Sequence, residues 1–178
     1  VTNDGDAPTG AIGDIVLATN ANPTVTEYLQ TGDWQPRQSI ATLASAMDVG
    51  NPSNMERLRS LYPAIDQLRG QVTAFSVSDA EIRTTIRRDA TELGQLWCPH
   101  TATAAHVYRE KLAASAVGRH GVLVSTAHPA KFNDIGEPLI GREVPVPPAL
   151  AALLSLPRQE SRLDATLASL RSELQKGL

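Results

Sequence analysis

The sequence predicts an α/β protein built on a parallel sheet with flanking helices. Two observations carry this. Apolar runs such as Ile15-Val-Leu-Ala18 do not alternate with polar residues, which suits strands covered on both faces. Between these runs lie helical signatures, the clearest being the capping box Ser78-Asp-Ala-Glu81. Strands alternating with helices make the α/β class.

Ile15 to Ala18 is bounded by Gly13-Asp14 and Thr19-Asn20 and reads as the first strand. A short helix is expected from Thr24 to Gln30, ending near Gly32, and Gly32 to Ser39 reads as loop. Gly50-Asn-Pro-Ser-Asn54 is a turn signal before a helix from Met55 to Leu61. Val72 to Val77 is the second strand. Behind the capping box, Ile82, Ile86 and Leu93 recur at helical spacing, so that helix should run to about Gly94. Pro99 suits a first helical turn, and Ala102, Ala105, Tyr108 and Leu112 continue its face. Gly121 to Ser125 is the third strand candidate, and His128-Pro-Ala-Lys-Phe132 opens a helix after it. Gly136 to Pro148 reads as a connector rich in Pro and Gly, and helices are expected over Pro148 to Leu156 and Ser161 to Leu174. Three strands are few for a doubly wound sheet, which points to part of a larger domain or a small α/β unit. The domain reading is a flexible or artificial start at 1–13, an α/β body at 14–142 and a helical extension at 143–178.

Composition narrows the function. Aromatic residues make up only 4%, so the core falls to Leu, Ile, Val and Ala. A net charge of -3 without a Lys/Arg block offers no electrostatic reason for nucleic acid or an anionic membrane as partner. No apolar run approaches the roughly 20 residues of a membrane span. The single cysteine, Cys98, forbids an internal disulfide and suits a reducing compartment, so the expected location is cytoplasmic. His100 and His106 are not spaced to share a helix face, so no metal site is proposed.

Four stretches gather groups that could carry chemistry, and those at Ser125 and Asn20 lie beyond the carboxyl ends of strands, where ligands bind in such sheets. In Ser125-Thr-Ala-His-Pro-Ala-Lys-Phe132, Ser125 or Thr126 can hydrogen-bond a ligand heteroatom and Lys131 can face an anion. The plainer reading is a helix cap with His128 in a structural hydrogen bond. Asp48, Asn51, Ser53 and Asn54 crowd a turn that serves a ligand loop or an ordinary N-cap. Asn20 and Asn22 follow the first strand, as ligand groups or an Asx turn. Cys98-Pro-His-Thr-Ala-Thr-Ala-Ala105 is a helix start made of small residues. A thiol there is reactive only with a base nearby. There is no Walker loop, dinucleotide glycine fingerprint, nucleophile elbow or zinc spacing.

Five stretches, in order, resemble threonine synthases. They are Val16-Leu-Ala-Thr-Asn-Ala-Asn22, Gly32-Asp-Trp-Gln-Pro-Arg37, Ser45-Ala-Met-Asp-Val-Gly-Asn-Pro-Ser-Asn-Met-Glu-Arg57, Pro99-His-Thr-Ala102 and Ser125 to Phe132. The resemblance covers roughly residues 14 to 142 and is to the C-terminal portion of that family. It implies a partial fold like the tryptophan synthase β subunit and pyridoxal 5'-phosphate (PLP) as cofactor in the full-length parent. It also implies conversion of O-phosphohomoserine and water to L-threonine and phosphate. In this class a Ser or Thr hydroxyl meets the pyridine nitrogen, and Thr126 matches that position, with Ser125 as fallback. His128, Lys131, Asn20 and Asp48 would form the surrounding shell. The family's Schiff-base lysine stands in a Phe-Lys-Asp context that this sequence lacks, and the Gly-rich phosphate loop expected before Ile15 is also missing. The acidic residue common before Pro-His-Thr-Ala is Cys98 here. The expectation is therefore a segment inactive by itself. The alternative is a non-catalytic binding or assembly domain of the same fold.

Overall fold

The computed structural model describes residues 13–113, 120–157 and 160–176. The expected flexible start therefore lies, apart from Gly13, outside the described residues. Two units separate at Pro145 and Val146.

The first unit is organised by two parallel strands, β1 (Ile15–Thr19) and β2 (Val72–Ser76), with Ile15 opposite Val72 and Thr19 opposite Ser76. Between them run α1 (Thr24–Thr31), a 3-10 turn at Ser45–Met47, α2 (Met55–Leu61) and α3 (Ile65–Arg69). After β2 come α4 (Asp79–Glu92) and α5 (Pro99–Val107), then a π turn at Tyr108–Leu112. A 3-10 turn at Pro129–Phe132 leads into α6 (Asn133–Ile140).

Side chains on a strand alternate between faces, and both faces of this sheet are covered. Val16, Ala18 and Phe75 pack on a core of Ala44, Val77, Ile82, Ile86, Ala102 and Val107. Val72 and Ala74 face Tyr28, Leu29, Met55 and Leu68 from α1, α2 and α3. Helices on both faces of a parallel sheet confirm the α/β class. The capping box forms as expected. Glu81 N–H donates to Ser78 Oγ at 3.4 Å, and Ser78 N–H donates back to Glu81 Oε2 at 2.7 Å. The Ser78 hydroxyl also donates to Glu81, and these bonds hold that carboxyl below its ordinary pKa. Gly50 cannot carry a side chain. A Cβ there would lie 1.9 Å from the Arg37 carbonyl oxygen, because Arg37 N–H donates to the Gly50 carbonyl across the loop.

Three expectations need correction. Gly121 to Ser125 forms no strand. A parallel strand needs a neighbour, and among the described residues only β1 and β2 pair. Val122 and Val124 are left 87% and 75% exposed. The expected connector from Gly136 begins inside α6, which runs through Gly136 and Pro138 to Ile140. Burial overrides propensity there: Leu139 and Ile140 pack on the first core, and Gly136 is buried with Val144 3.8 Å from where its Cβ would be. The last helix begins at Leu167 rather than Ser161.

The second unit contains α7 (Pro148–Leu154) and α8 (Leu167–Lys176). Leu153, Leu154, Leu167, Leu170 and Leu174 on these helices are exposed. No described helix is long and apolar enough to cross a membrane.

Candidate functional site

The carboxyl end of the sheet is where the polar motifs meet. Asn20 follows β1 directly and is fully buried. Its Nδ2 donates to Thr42 Oγ1 and Asp48 Oδ1, both at 2.7 Å, and to the Ala44 carbonyl at 3.2 Å. Its Oδ1 accepts the Asn22 N–H at 3.0 Å, the Asx turn that the sequence offered. Asn22 in turn accepts the Ile40 N–H at 2.8 Å. Asp48 closes the network by accepting the Thr42 N–H at 3.0 Å. Asn20 and Asp48 thus come together, but their polar atoms are spent on folding the 40–48 loop over the strand end.

His100, on α5, links this loop to the Ser125–Phe132 motif. Ala46 N–H donates to His100 Nε2 at 3.0 Å, and the His100 ring lies 4.9 Å from that of Phe132. Sequence reasoning only excluded His100 from a metal pair with His106. The accepting Nε2 puts the proton on Nδ1, which is buried and has no partner among the described residues. Burial lowers the His100 pKa below the imidazole value of 6.5, and the Asp48 charge opposes that shift. The unfolded chain therefore takes up this proton more readily than the folded one. The stabilisation is present above about pH 6.5 and is lost as pH falls through the lowered folded value. We expect the urea midpoint to fall between about pH 7.5 and 5.5, and His100→Gln to remove part of that fall. An identical fall in the variant would contradict this role.

The second meeting point is a pocket of about 400 Å³ lined by Trp97, Cys98, Ser125, Ala127, His128 and Val144, among others. No acidic side chain lines it. Cys98 caps α5, with its sulfur accepting the Thr101 N–H at 3.4 Å. The Thr101 hydroxyl lies 3.2 Å from Cys98 Sγ and 2.9 Å from Ser125 Oγ. His128 Nδ1 accepts the Ala130 N–H at 3.1 Å and so caps its own 3-10 turn, the plainer of its two readings. Thr126 does not line the pocket. It is exposed, and its hydroxyl has no partner among the described residues. Lys131 is likewise exposed. The structure therefore joins Ser125 with His128 and Asn20 with Asp48, and leaves Thr126 and Lys131 open. A larger cleft of about 650 Å³, lined by Tyr28, Trp34 and Arg59, contains none of these six residues.

Residues 101–173 match the family model described as "Threonine synthase, C-terminal". The threonine synthase of Serratia marcescens is 40% identical over 160 residues, which is 89% of this chain and 36% of that protein. The crystal structure of threonine synthase from Escherichia coli superposes with a TM-score of 0.78 at 34% identity, over 94% of this chain and 38% of that one. Along the length it spans, the chain is similar to the C-terminal part of threonine synthases. A threonine synthase from Brucella melitensis, described as PLP bound, superposes with a TM-score of 0.74 at 25% identity over 93% of this chain. The fold is thus that of the matching part of threonine synthases, with β1 and β2 as a small parallel sheet. The chain spans a little over a third of the length of these relatives.

Proposed function

We propose that this chain forms the ring-nitrogen side of a PLP site in a threonine synthase. The enzyme would convert O-phosphohomoserine and water to L-threonine and phosphate. The observation that carries the reading is the exposed Thr126 hydroxyl, which has no partner among the described residues, in the Ser125–Phe132 motif of a chain similar to threonine synthases. The Brucella relative, described as PLP bound, supports the choice of cofactor.

The donor set fits a pyridine ring. Thr126 offers a neutral hydroxyl, which donates to an unprotonated ring nitrogen. A carboxylate in its place would favour the protonated ring. PLP supplies an electron sink when bound. The chain's part is to hold the ring at Thr126 and to present Lys131 toward anionic groups. Its own lysines are Lys111, Lys131 and Lys176, none in a Phe-Lys-Asp context. We therefore assign the imine-forming lysine and the phosphate cradle to the portion of the relatives that this chain does not match. We further expect these residues to be inactive alone.

In the intact enzyme Thr126→Val should lower kcat about tenfold, the equivalent of one hydrogen bond of about 1–1.5 kcal/mol. Steady-state kinetics check this, and unchanged turnover would remove Thr126 from the site.

A further inference from the structure

Residues 121–126 have no regular secondary structure and Ala127 lies in a bend, and no strand pairs with them among the described residues. Two contacts attach them to α5 and its continuation. At one end the Tyr108 ring packs so closely on Gly121 that a Cβ there would lie 2.1 Å from a ring carbon. At the other end Ser125 Oγ lies 2.9 Å from Thr101 Oγ1. Among the described residues this is the one hydrogen bond made by 121–127. The spacings agree. Seven helical residues from Thr101 to Tyr108 rise about 10 Å, which lies within the reach of four residues from Gly121 to Ser125, at most about 13 Å. The segment therefore lies along α5 in the opposite direction, with its carboxyl end at the helix start.

The pocket lining separates the two hydroxyls. Ser125 and Ala127 line the pocket beside Trp97 and Cys98, whereas the exposed Thr126 between them does not. Thr101 is only 2% exposed, and its hydroxyl touches Cys98 Sγ as well as Ser125. A buried hydroxyl held from two sides has little rotational freedom.

We propose that Thr101 is a positioning residue: with Cys98 it tethers Ser125 to the start of α5, and this tether sets the register at which Thr126 meets its ligand. This rests on the PLP reading above and deepens it. Ser125 is then an anchor rather than a ring contact.

The test uses the intact enzyme that contains these residues. The variants are Thr101→Val, Thr101→Ser, Ser125→Ala and the Thr101→Val/Ser125→Ala pair. The readouts are the visible absorbance band of bound PLP and the kcat and KM for O-phosphohomoserine. A loosened tether should move the band and lower kcat about fivefold, with KM within about twofold. The pair should lose no more than either single variant, because both cut one link. Thr101→Ser keeps the hydroxyl and should restore the wild-type band. If Thr101→Val fails to fold, Ser125→Ala, at the exposed end of the tether, carries the same test. A wild-type band in Ser125→Ala, or losses that multiply in the pair, overturns the inference while leaving the PLP reading standing. A wild-type enzyme with no visible band overturns both.

Discussion

Replacing Asp89 with alanine should cost about 3 kcal/mol of folding stability, toward the lower end for breaking a buried ion pair. Asp89 sits on α4 with its side chain 4% exposed. Its Oδ1 accepts from Arg88 Nε at 3.1 Å and Arg109 Nη1 at 3.0 Å, and its Oδ2 accepts from the Trp97 indole at 2.9 Å. The carboxylate thereby ties α4 to the π turn and to the wall of the Ser125 pocket. Removing it strands Arg88, whose Nη2 is already buried without a partner among the described residues. Arg88 keeps Glu110 at 2.9 Å, and Arg109 keeps its pairing with Glu92, so the loss falls short of an isolated buried charge. Glu92 itself is half exposed, and Glu92→Ala should cost under about 1 kcal/mol. Urea unfolding of both variants checks the pair. Similar midpoints would contradict the assignment of the energy to Asp89.

Asn20→Asp should be as damaging, although it changes one atom. The Asn20 amide nitrogen lies 2.7 Å from Asp48 Oδ1 at a fully buried position. A carboxylate there sets two anions against each other and removes the donors to Thr42 and Ala44. Each buried group left unpaired costs about 1–3 kcal/mol, so the total should reach about 3 kcal/mol near neutral pH. Protonating the new carboxyl relieves the repulsion, so the deficit should shrink below about pH 5. Urea midpoints at the two pH values test this. A deficit under about 1 kcal/mol would mean that the 40–48 loop does not depend on this network.

Local chemistry made much of the fold legible. The Ser78–Glu81 capping box, the Met55–Leu61 helix, the unalternating run of β1 and the Val72–Val77 stretch of β2 need only residues near in sequence, and all stand close to where expected. The misses share a cause. Val122 and Val124 carry the pattern of a buried strand, but a strand also needs a partner, which no local pattern supplies. α6 is hidden by Gly136 and Pro138, and its formation depends on tertiary burial. The site divides the same way. Thr126 stood out through its motif. His100 and Thr101 gain their roles from partners 54 and 24 residues away, Ala46 and Ser125. The small, polar residues around Pro99 were the only sequence signal, and they fit an ordinary helix start equally well.

We propose that these residues belong to a PLP-dependent threonine synthase site. Phosphate release from O-phosphohomoserine by the intact enzyme, followed with and without added PLP, tests it most directly. Phosphate and L-threonine should appear in equal amounts, dependent on PLP and reduced about tenfold by Thr126→Val. An intact enzyme that folds, shows no visible PLP band and releases no phosphate would contradict it.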